Sequence, residues 1–166
     1  MQLDTITELL QIPGYKVRHM VSCTGNRIEL LLEREGERAR VCSGCGKVHT
    51  TAVHSEGSVL LEDLPISGKR VYLHVPKRKA VCPEDGSIRV EELKWVRGRF
   101  TKRFADQVYR LTAITTNKEA GWFLGIDDEA VYRLDKGMLE ELALEKIEKV
   151  KSPRHMSVDE VAWQKW

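Results

Sequence analysis

The sequence predicts an α+β protein in which short strands occupy the first half of the chain and helices the second. Residues 1–93 alternate between runs rich in Val, Ile and Leu and turns that contain Gly. From Thr101 onward the apolar residues recur every three or four positions, which is the period of an amphipathic helix. The 166 residues, 42% hydrophobic and 31% charged, suffice for one ordinary globular domain or two small ones.

The strand-rich half begins with a short helix around Asp4 to Leu10 and continues as a hairpin. The segments "YKVRHMVSC" and "NRIELLLERE" flank the turn sequence "TGN". Two further extended segments, "GSVLLEDLPISG" and "KRVYLHVP", lie between a turn with two cysteines and Cys82. We therefore expect a strand-rich domain over residues 1–93.

The helical half begins at Thr101, which we expect to cap a helix through "KRFADQVYRLTAIT". Helices continue to about residue 150, and Pro153 ends the pattern. Trp122 and Phe123 have helix-interior spacing and are expected in the core. The prediction is a helical domain over residues 94–150, then a linker and the start of a strand in residues 151–166.

The N-terminal sequence favours a cytoplasmic protein. It carries Asp4 and Glu8 where a secretory signal would be basic and then apolar. The chain contains no run of about 18 apolar residues, so we expect no membrane partner. In a reducing compartment, closely spaced cysteines more often hold a metal than form disulfides.

The cysteines indicate a structural zinc site. Cys42 and Cys45 lie three positions apart in a turn, which allows both thiolates to reach one ion. Cys82 and Asp85 repeat that offset and are also followed by a glycine. The predicted ligands are therefore Cys42, Cys45, Cys82 and Asp85. No open coordination position is evident, so we expect the zinc to stabilise the fold.

Other residues in the sequence could supply the fourth ligand, and the cysteines can also be interpreted without a metal. The rival ligands are His49, His54, His74 and Cys23. Without a metal, the cysteines would be small buried apolar residues.

Basic residues cluster where the strands give way to helices. Residues 94–110 contain six Lys or Arg and one acid, although the net charge of the chain is only +2. Such a strip suits phosphate contacts with double-stranded DNA, and the alternative is a solvated helix face.

A helix-turn-helix is predicted in "KEAGWFLGIDDEAVYRLDK", because Gly121 would allow close helix crossing and Gly125 would form the turn. Acids at the start of the second helix favour its dipole but repel phosphates, so a structural three-helix unit is the alternative. The predicted DNA-binding residues of both segments are Arg97, Arg99, Lys102, Arg103, Lys118, Tyr132, Arg133 and Lys136.

Asp159 lies between apolar residues in "MSVDEVAW", a pattern typical of a buried strand. An acid there is costly unless it is paired or bound to a metal, so Asp159 is a candidate ligand for a catalytic divalent cation. The alternative is an exposed carboxylate on an edge or in a loop.

The ordered series "CSGCG", "VHS", "EDLPISGKRVYLHV", "KRKAVCPEDG", "RFTKRF" and "MSVDEVAW" resembles the N-terminal part of bacterial insertion-sequence transposases of the ISL3 family. The resemblance implies a zinc-binding domain, a helix-turn-helix and a ribonuclease-H-like catalytic domain with an Asp-Asp-Glu triad. Cys42, Cys45 and Cys82 match the zinc cysteines, while Asp85 stands where a Cys or His is expected. Asp159 matches the first triad carboxylate, and the other two would lie beyond Trp166.

The resulting hypothesis is a portion of a transposase that recognises transposon-end DNA and is catalytically incomplete as given. Mg²⁺ would be needed only in the full-length parent enzyme, because two-metal catalysis requires several carboxylates. Partners would be double-stranded DNA and a second copy or a full-length transposase. The alternatives are a stand-alone helix-turn-helix transcription regulator and a zinc-containing module that binds another protein.

Overall fold

The structure is a computed structural model that describes residues 3–36 and 40–149, with side chains described as far as residue 145. Strands give way to helices at residue 102, which confirms the predicted α+β class. The helices are α1 (Leu3–Leu10), α2 (Lys102–Thr112), α3 (Asn117–Leu124) and α4 (Asp128–Lys149). The strands are β1 (Tyr15–Thr24), β2 (Arg27–Arg34), β3 (Arg40–Cys42), β4 (Val48–His49), β5 (Val53–Ile66), β6 (Lys69–Val81), β7 (Ile88–Glu92), β8 (Val96–Arg97) and β9 (Phe100–Thr101).

A long antiparallel hairpin of β5 and β6 forms the spine of the sheet. The outer edge of β6 is shared by two strands, since β2 pairs parallel with its first part and β7 antiparallel with its last part. β1 pairs antiparallel with β2, which confirms the hairpin predicted around "TGN". The main path through the sheet runs β4-β3-β7-β6-β5-β9-β8. The sheet therefore continues beyond residue 93, where the sequence suggested a domain boundary.

The first hydrophobic core lies between α1 and the central strands. Ile6 and Leu10, four residues apart on one face of α1, are buried against side chains of β2, β5 and β6. Leu30, Leu61 and Leu73 in these strands are fully buried. Buried positions alternate with half-buried ones along β2 and β6, so both strands present an apolar face to this core.

The second core joins β9 to the three later helices. The rings of Phe100 and Phe104 stack with centroids 4.8 Å apart, and Val108, Leu124 and Val131 pack in the same cluster. α2 begins where the sequence predicted, because the hydroxyl of its N-cap residue accepts the Phe104 N–H at 3.3 Å. The helical part thus has a core of its own.

A buried carboxylate connects the two cores. Asp63 of β5 is almost completely buried and accepts hydrogen bonds from the Thr101 hydroxyl at 2.6 Å and from Arg103 Nε at 2.7 Å. A second nitrogen of Arg103 also pairs with Asp63. Arg103 donates in addition to the Leu10 carbonyl at the end of α1. These bonds fasten α2 to both the sheet and α1.

Two glycines allow α3 and the start of α4 to approach each other closely. A Cβ on Gly121 would lie 2.8 Å from the carbonyl oxygen of Ile126, so the two segments can approach this closely only at a glycine. Gly125 ends α3 in the left-handed conformation with φ of 70°. Asp127 then caps α4, where its carboxylate accepts the Ala130 N–H at 2.7 Å. Over the described part of the chain, no helix is long and apolar enough to cross a membrane.

We expect Gly121→Ala to lower the free energy of unfolding by about 2 kcal/mol, because the new methyl group would push against backbone that cannot yield cheaply. Gly137→Ala in α4 is the matched control, since a Cβ there meets nothing within 4 Å. Ala is also the better helix former, so the control should stabilise by up to about 1 kcal/mol. Urea unfolding followed by circular dichroism measures both, and equal effects would contradict the tight crossing.

Candidate functional site

Two turns of the same construction face each other at the end of the sheet that carries β3, β4 and β7. In the first, the Cys42 N–H donates to the Lys47 carbonyl, and the Cys42 carbonyl accepts from the Gly46 N–H, both at 2.9 Å. The turn that begins at Cys82 repeats both bonds at 2.8 Å. Gly46 and Gly86 close the turns with φ of 70° and 68°, values that favour glycine. The equivalence of the two turns follows the repeat seen in the sequence.

Three cysteines and one histidine converge between these turns. The ligand atoms of Cys42, Cys45, His49 and Cys82 all lie within 4.8 Å of one another. The sulfurs of Cys45 and Cys82 are 3.7 Å apart, and His49 Nε2 lies 2.9 Å from the first and 3.9 Å from the second. A tetrahedral zinc would separate two thiolates by about 3.8 Å and a thiolate from an imidazole nitrogen by about 3.5 Å. The donor set therefore fits one zinc ion.

His49 enters the cluster because β3 and β4 form a small hairpin. Val48 pairs with Val41, and His49 pairs with Arg40, so the chain turns back beside the first cysteine turn. The imidazole then lies next to Cys45, four residues earlier in the sequence. The sequence named His49 only as an alternative ligand, and the return of the chain through this hairpin is the feature that spacing alone did not reveal.

Asp85, which the sequence suggested as the fourth ligand, lies outside the cluster. It occupies the position in the second turn that Cys45 occupies in the first, but its carboxylate is engaged elsewhere. It accepts from the Ser87 hydroxyl at 2.6 Å, the Ser87 N–H at 3.0 Å and Arg89 at 2.7 Å. The hydroxyl and then the guanidinium hold the pKa of Asp85 well below its usual value. The geometry replaces Asp85 with His49 in the candidate ligand set.

The other alternative ligands are also placed away from the cluster. His74 Nε2 lies 3.0 Å from a carboxylate oxygen of Glu29, and the His54 ring lies beside Ser55. Cys23 is an exposed residue near the end of β1. None of the three belongs to the group of converging ligand atoms.

Backbone donors and cationic side chains surround the sulfurs. The N–H groups of Cys45 and then Gly44 lower the pKa of the Cys42 thiol, which favours the thiolate that binds a metal. The Arg89 side chain crosses the first turn so closely that a Cβ on Gly44 would lie 2.9 Å from its Nε. Because Arg89 also binds Asp85, it clamps the first turn to the second. Lys47 and Glu84 make a second bridge between the turns at 2.9 Å.

The four candidate ligands would complete a tetrahedral site, which is the arrangement of structural zinc. Two of them, Cys42 and Cys82, are buried, and the polypeptide around them consists of short strands with little apolar core of their own. When bound, the ion would supply folding free energy to this end of the sheet. Catalytic zinc, in contrast, keeps one position for water or substrate.

Most of the predicted basic strip is engaged in ion pairs within the chain. Arg97 binds both carboxylate oxygens of Glu141 at 2.8 and 2.9 Å. Arg99 lies 3.3 Å from Asp127, and Lys102 lies 3.1 Å from Asp106. The clustering of positive charge in the sequence is therefore largely neutralised by acids brought near by the fold.

Arg103 differs most from its predicted role. Two of its guanidinium nitrogens bind the buried Asp63 and another binds the Leu10 carbonyl, so the group is directed into the protein. A buried carboxylate without its cation is costly, which makes this arginine a structural residue. The geometry therefore leaves Arg103 no free guanidinium for DNA.

The other predicted DNA contacts are exposed on α3 and α4. Lys118 lies in the first turn of α3, and Tyr132, Arg133 and Lys136 are exposed along α4. Arg133 and Lys136 each approach an acid one helical turn away at 3.9 Å. Such exposed pairs contribute less than about 1 kcal/mol and exchange readily for a phosphate. A DNA duplex can therefore reach all four of these residues.

The expectation that Trp122 and Phe123 belong to the core is wrong. Trp122 is 85% exposed and Phe123 is 68% exposed, because Ala120, Gly121 and Leu124 form the inward face of α3. Asp159, the candidate catalytic carboxylate, lies outside the described residues.

Comparison with known proteins identifies the cysteine region. Residues 38–85 match the family described as the zinc-finger of transposase IS204/IS1001/IS1096/IS1165. The chain is also 33% identical over 109 residues to the transposase for insertion sequence element IS1001 from Bordetella parapertussis. That match covers 61% of this chain and 25% of the relative, so the chain spans about a quarter of its length. No solved structure matches the chain significantly. The resemblance to ISL3-type transposases is confirmed.

We expect His49→Ala to reduce zinc affinity by more than about 100-fold, because the loss of a ligand exceeds the roughly 10- to 100-fold cost of outer-shell changes. Asp85→Ala is the matched variant and should weaken zinc by no more than about tenfold, through the loss of the Arg89 clamp. Competition with a chromophoric chelator measures both affinities. Zinc retention by His49→Ala together with zinc loss by Asp85→Ala would restore the ligand set first predicted from the sequence.

For Arg103→Met we expect the free energy of unfolding to fall by about 2 to 3 kcal/mol, since Asp63 keeps only its bond to Thr101. Lys102→Ala removes the adjacent cation and should change stability by less than about 0.5 kcal/mol. Urea titration gives both values. A stable Arg103→Met variant that no longer binds DNA would show instead that Arg103 contacts the duplex.

Proposed function

We propose that this chain, which is related to the ISL3-type insertion-sequence transposases, binds double-stranded DNA through a helix-turn-helix formed by α3 and α4. In the parent element, the bound DNA would be the transposon end. The zinc cluster would act as a structural support rather than as the DNA-reading surface. The proposed activity is recognition, and any cleavage or joining of DNA would belong to the longer transposase.

The observation that carries this proposal is the junction between α3 and α4. A glycine at the point of closest approach, Gly121, is followed four residues later by the left-handed Gly125, and the next helix begins at Asp128. A short, glycine-containing turn between two packed helices is the construction of a helix-turn-helix. In that motif the second helix enters the major groove, which assigns the recognition role to α4.

The charges on α4 are compatible with this role. Of the three acids at its start, Asp127 is used as a cap, and its pKa is lowered chiefly by the Ala130 N–H. Asp128 and Glu129 remain exposed, so the first turn is unfavourable for phosphates. Arg133 and Lys136 lie one and two turns further along, on one face of the helix, where they can reach phosphates of the backbone. Carboxylates in the first turn suit contact with a cytosine amino group.

A role in DNA binding also agrees with where the zinc cluster lies. Cys82 follows the last residue of β6, whereas Arg70, near the first, lies against the turn at Gly125. Twelve residues of extended strand separate these points by about 40 Å. The cluster is therefore remote from the turn between α3 and α4 and lies at the opposite end of the β5–β6 hairpin. Contacts with a second copy or with a full-length transposase would fall to surfaces other than α4.

We expect the double variant Arg133→Ala/Lys136→Ala to bind a random duplex of about 30 base pairs roughly tenfold more weakly near 0.1 M salt. The slope of log K against log salt concentration should become smaller in magnitude, by the amount that corresponds to the loss of about two phosphate contacts. Fluorescence anisotropy at several salt concentrations measures both quantities.

The control is Lys16→Ala/Arg18→Ala on β1, which removes two exposed cations that both pair with Glu33. This variant has the same net charge as the test variant and should bind DNA with nearly the wild-type affinity. Equal losses in the two variants would mean that net charge, and not α4, governs binding. The absence of any salt-dependent binding by the wild-type chain would refute the proposed function.

A further inference from the structure

We propose that the β8–β9 hairpin acts as a wing beside the recognition helix and inserts Arg99 into the DNA minor groove next to the site read by α4. This inference rests on the proposed function, because it places the wing relative to a helix-turn-helix. It adds a second DNA-reading element, with A·T-rich minor groove as its ligand. The name "wing" denotes residues 96–101 below.

The wing is rigidly attached to the sheet. Glu62 of β5 donates its N–H to the Arg99 carbonyl at 2.8 Å and pairs with Phe100 in the sheet. Phe100 is buried in the second core, and Val96 and Arg97 complete the two-strand ladder. A positive φ of 59° at Gly98 makes the tip narrow. The backbone of Arg99 is thus fixed before any ligand arrives, which reduces the entropy lost on binding.

The two arginines of the wing have different surroundings along α4. One nitrogen of the Arg97 guanidinium donates to both carboxylate oxygens of Glu141, in the C-terminal half of the helix. Arg99 reaches Asp127, which caps the N-terminus about 20 Å away along the axis. In a helix-turn-helix, the N-terminal residues of the recognition helix contact base edges. Arg99 therefore lies at the DNA-proximal end of α4, and Arg97 anchors the wing at the other end.

The contacts of the Arg99 guanidinium are weak enough to be exchanged for DNA. It lies over the Phe100 ring, 5.0 Å from the ring centroid, an interaction that contributes about 0.5 to 1 kcal/mol at an exposed site. Its ion pair with Asp127 measures 3.3 Å, both side chains are more than half exposed, and Asp127 makes its shorter bond to the Ala130 N–H. Such a pair contributes less than about 1 kcal/mol. A cavity of about 550 Å³ between the wing and α4 also leaves the side chain room to move. Asp127 therefore positions the guanidinium until a duplex displaces it.

Minor-groove DNA is the ligand that suits a single arginine on a narrow support. The minor groove is about 6 Å wide and, where A·T-rich, narrower and more negative in potential, so it attracts inserted arginines. The major groove beside it would already contain α4. The wing lies alongside α4 rather than in front of it, since Arg97 and Arg99 contact residues at both of its ends.

The test compares three labelled duplexes of alternating sequence, made of A·T, I·C and G·C pairs. An I·C pair shows the functional groups of G·C in the major groove but lacks the guanine amino group in the minor groove, where it resembles A·T. We expect the wild-type chain to bind I·C about tenfold more tightly than G·C, because these two duplexes differ only in the minor groove. Arg99→Ala should bind I·C and G·C equally, and the A·T duplex shows separately what α4 prefers in the major groove.

Arg18→Ala is the matched control, because Arg18 is also an exposed arginine in a single long ion pair, 3.8 Å from Glu33. It should keep the preference for I·C over G·C. Circular dichroism and zinc content confirm that each variant is folded. Equal binding of I·C and G·C by the wild-type chain, or an unchanged preference for I·C in Arg99→Ala, would overturn the wing but leave the helix-turn-helix intact. No binding of any duplex would overturn both.

Discussion

The placement of the helical part depends on the buried carboxylate of Asp63. A carboxylate removed from water needs strong partners, and Asp63 finds them in the Thr101 hydroxyl and the Arg103 guanidinium. Thr101 is also the N-cap of α2, so the same group that satisfies Asp63 fixes where that helix begins. Arg103 extends the network to the end of α1. The position of α2, and through it that of α3 and α4, therefore follows from one charge in the sheet.

Local rules predicted those parts of the structure that depend on a few neighbouring residues. The Thr101 cap, the turn at Gly125 and the two equivalent turns at Cys42 and Cys82 each follow from backbone chemistry within about six residues. The identity of the fourth ligand does not follow from spacing, because it depends on which partners satisfy each side chain. Asp85 has the correct spacing, but a carboxylate in that turn is better satisfied by Ser87 and a guanidinium than by the sulfur-rich cluster.

Charge and exposure were harder to predict, because both depend on residues distant in the sequence. The acids that neutralise Arg97, Arg99 and Arg103 lie 44, 28 and 40 positions away. A short segment of the sequence contains these arginines but not the acids that pair with them. Trp122 likewise has the spacing of a core residue, yet the inward face of α3 is so close to the next segment that a Cβ on Gly121 would lie 2.8 Å from the Ile126 carbonyl oxygen. Bulky aromatic side chains are excluded from that face and remain in solvent.

The two hydrophobic cores and the zinc cluster stabilise different parts of the chain. The cluster stabilises β3, β4 and β7, whose contribution to either apolar core is small. The second core contains Phe100, Phe104 and Val131 and needs no residue from the cysteine turns. Loss of zinc should therefore loosen the far end of the β5–β6 hairpin first, while Asp63, in the part of β5 that contacts the helices, keeps α2 in place. A metal site that is structural in this sense maintains one end of the sheet and leaves the surface of α4 to respond to its ligand.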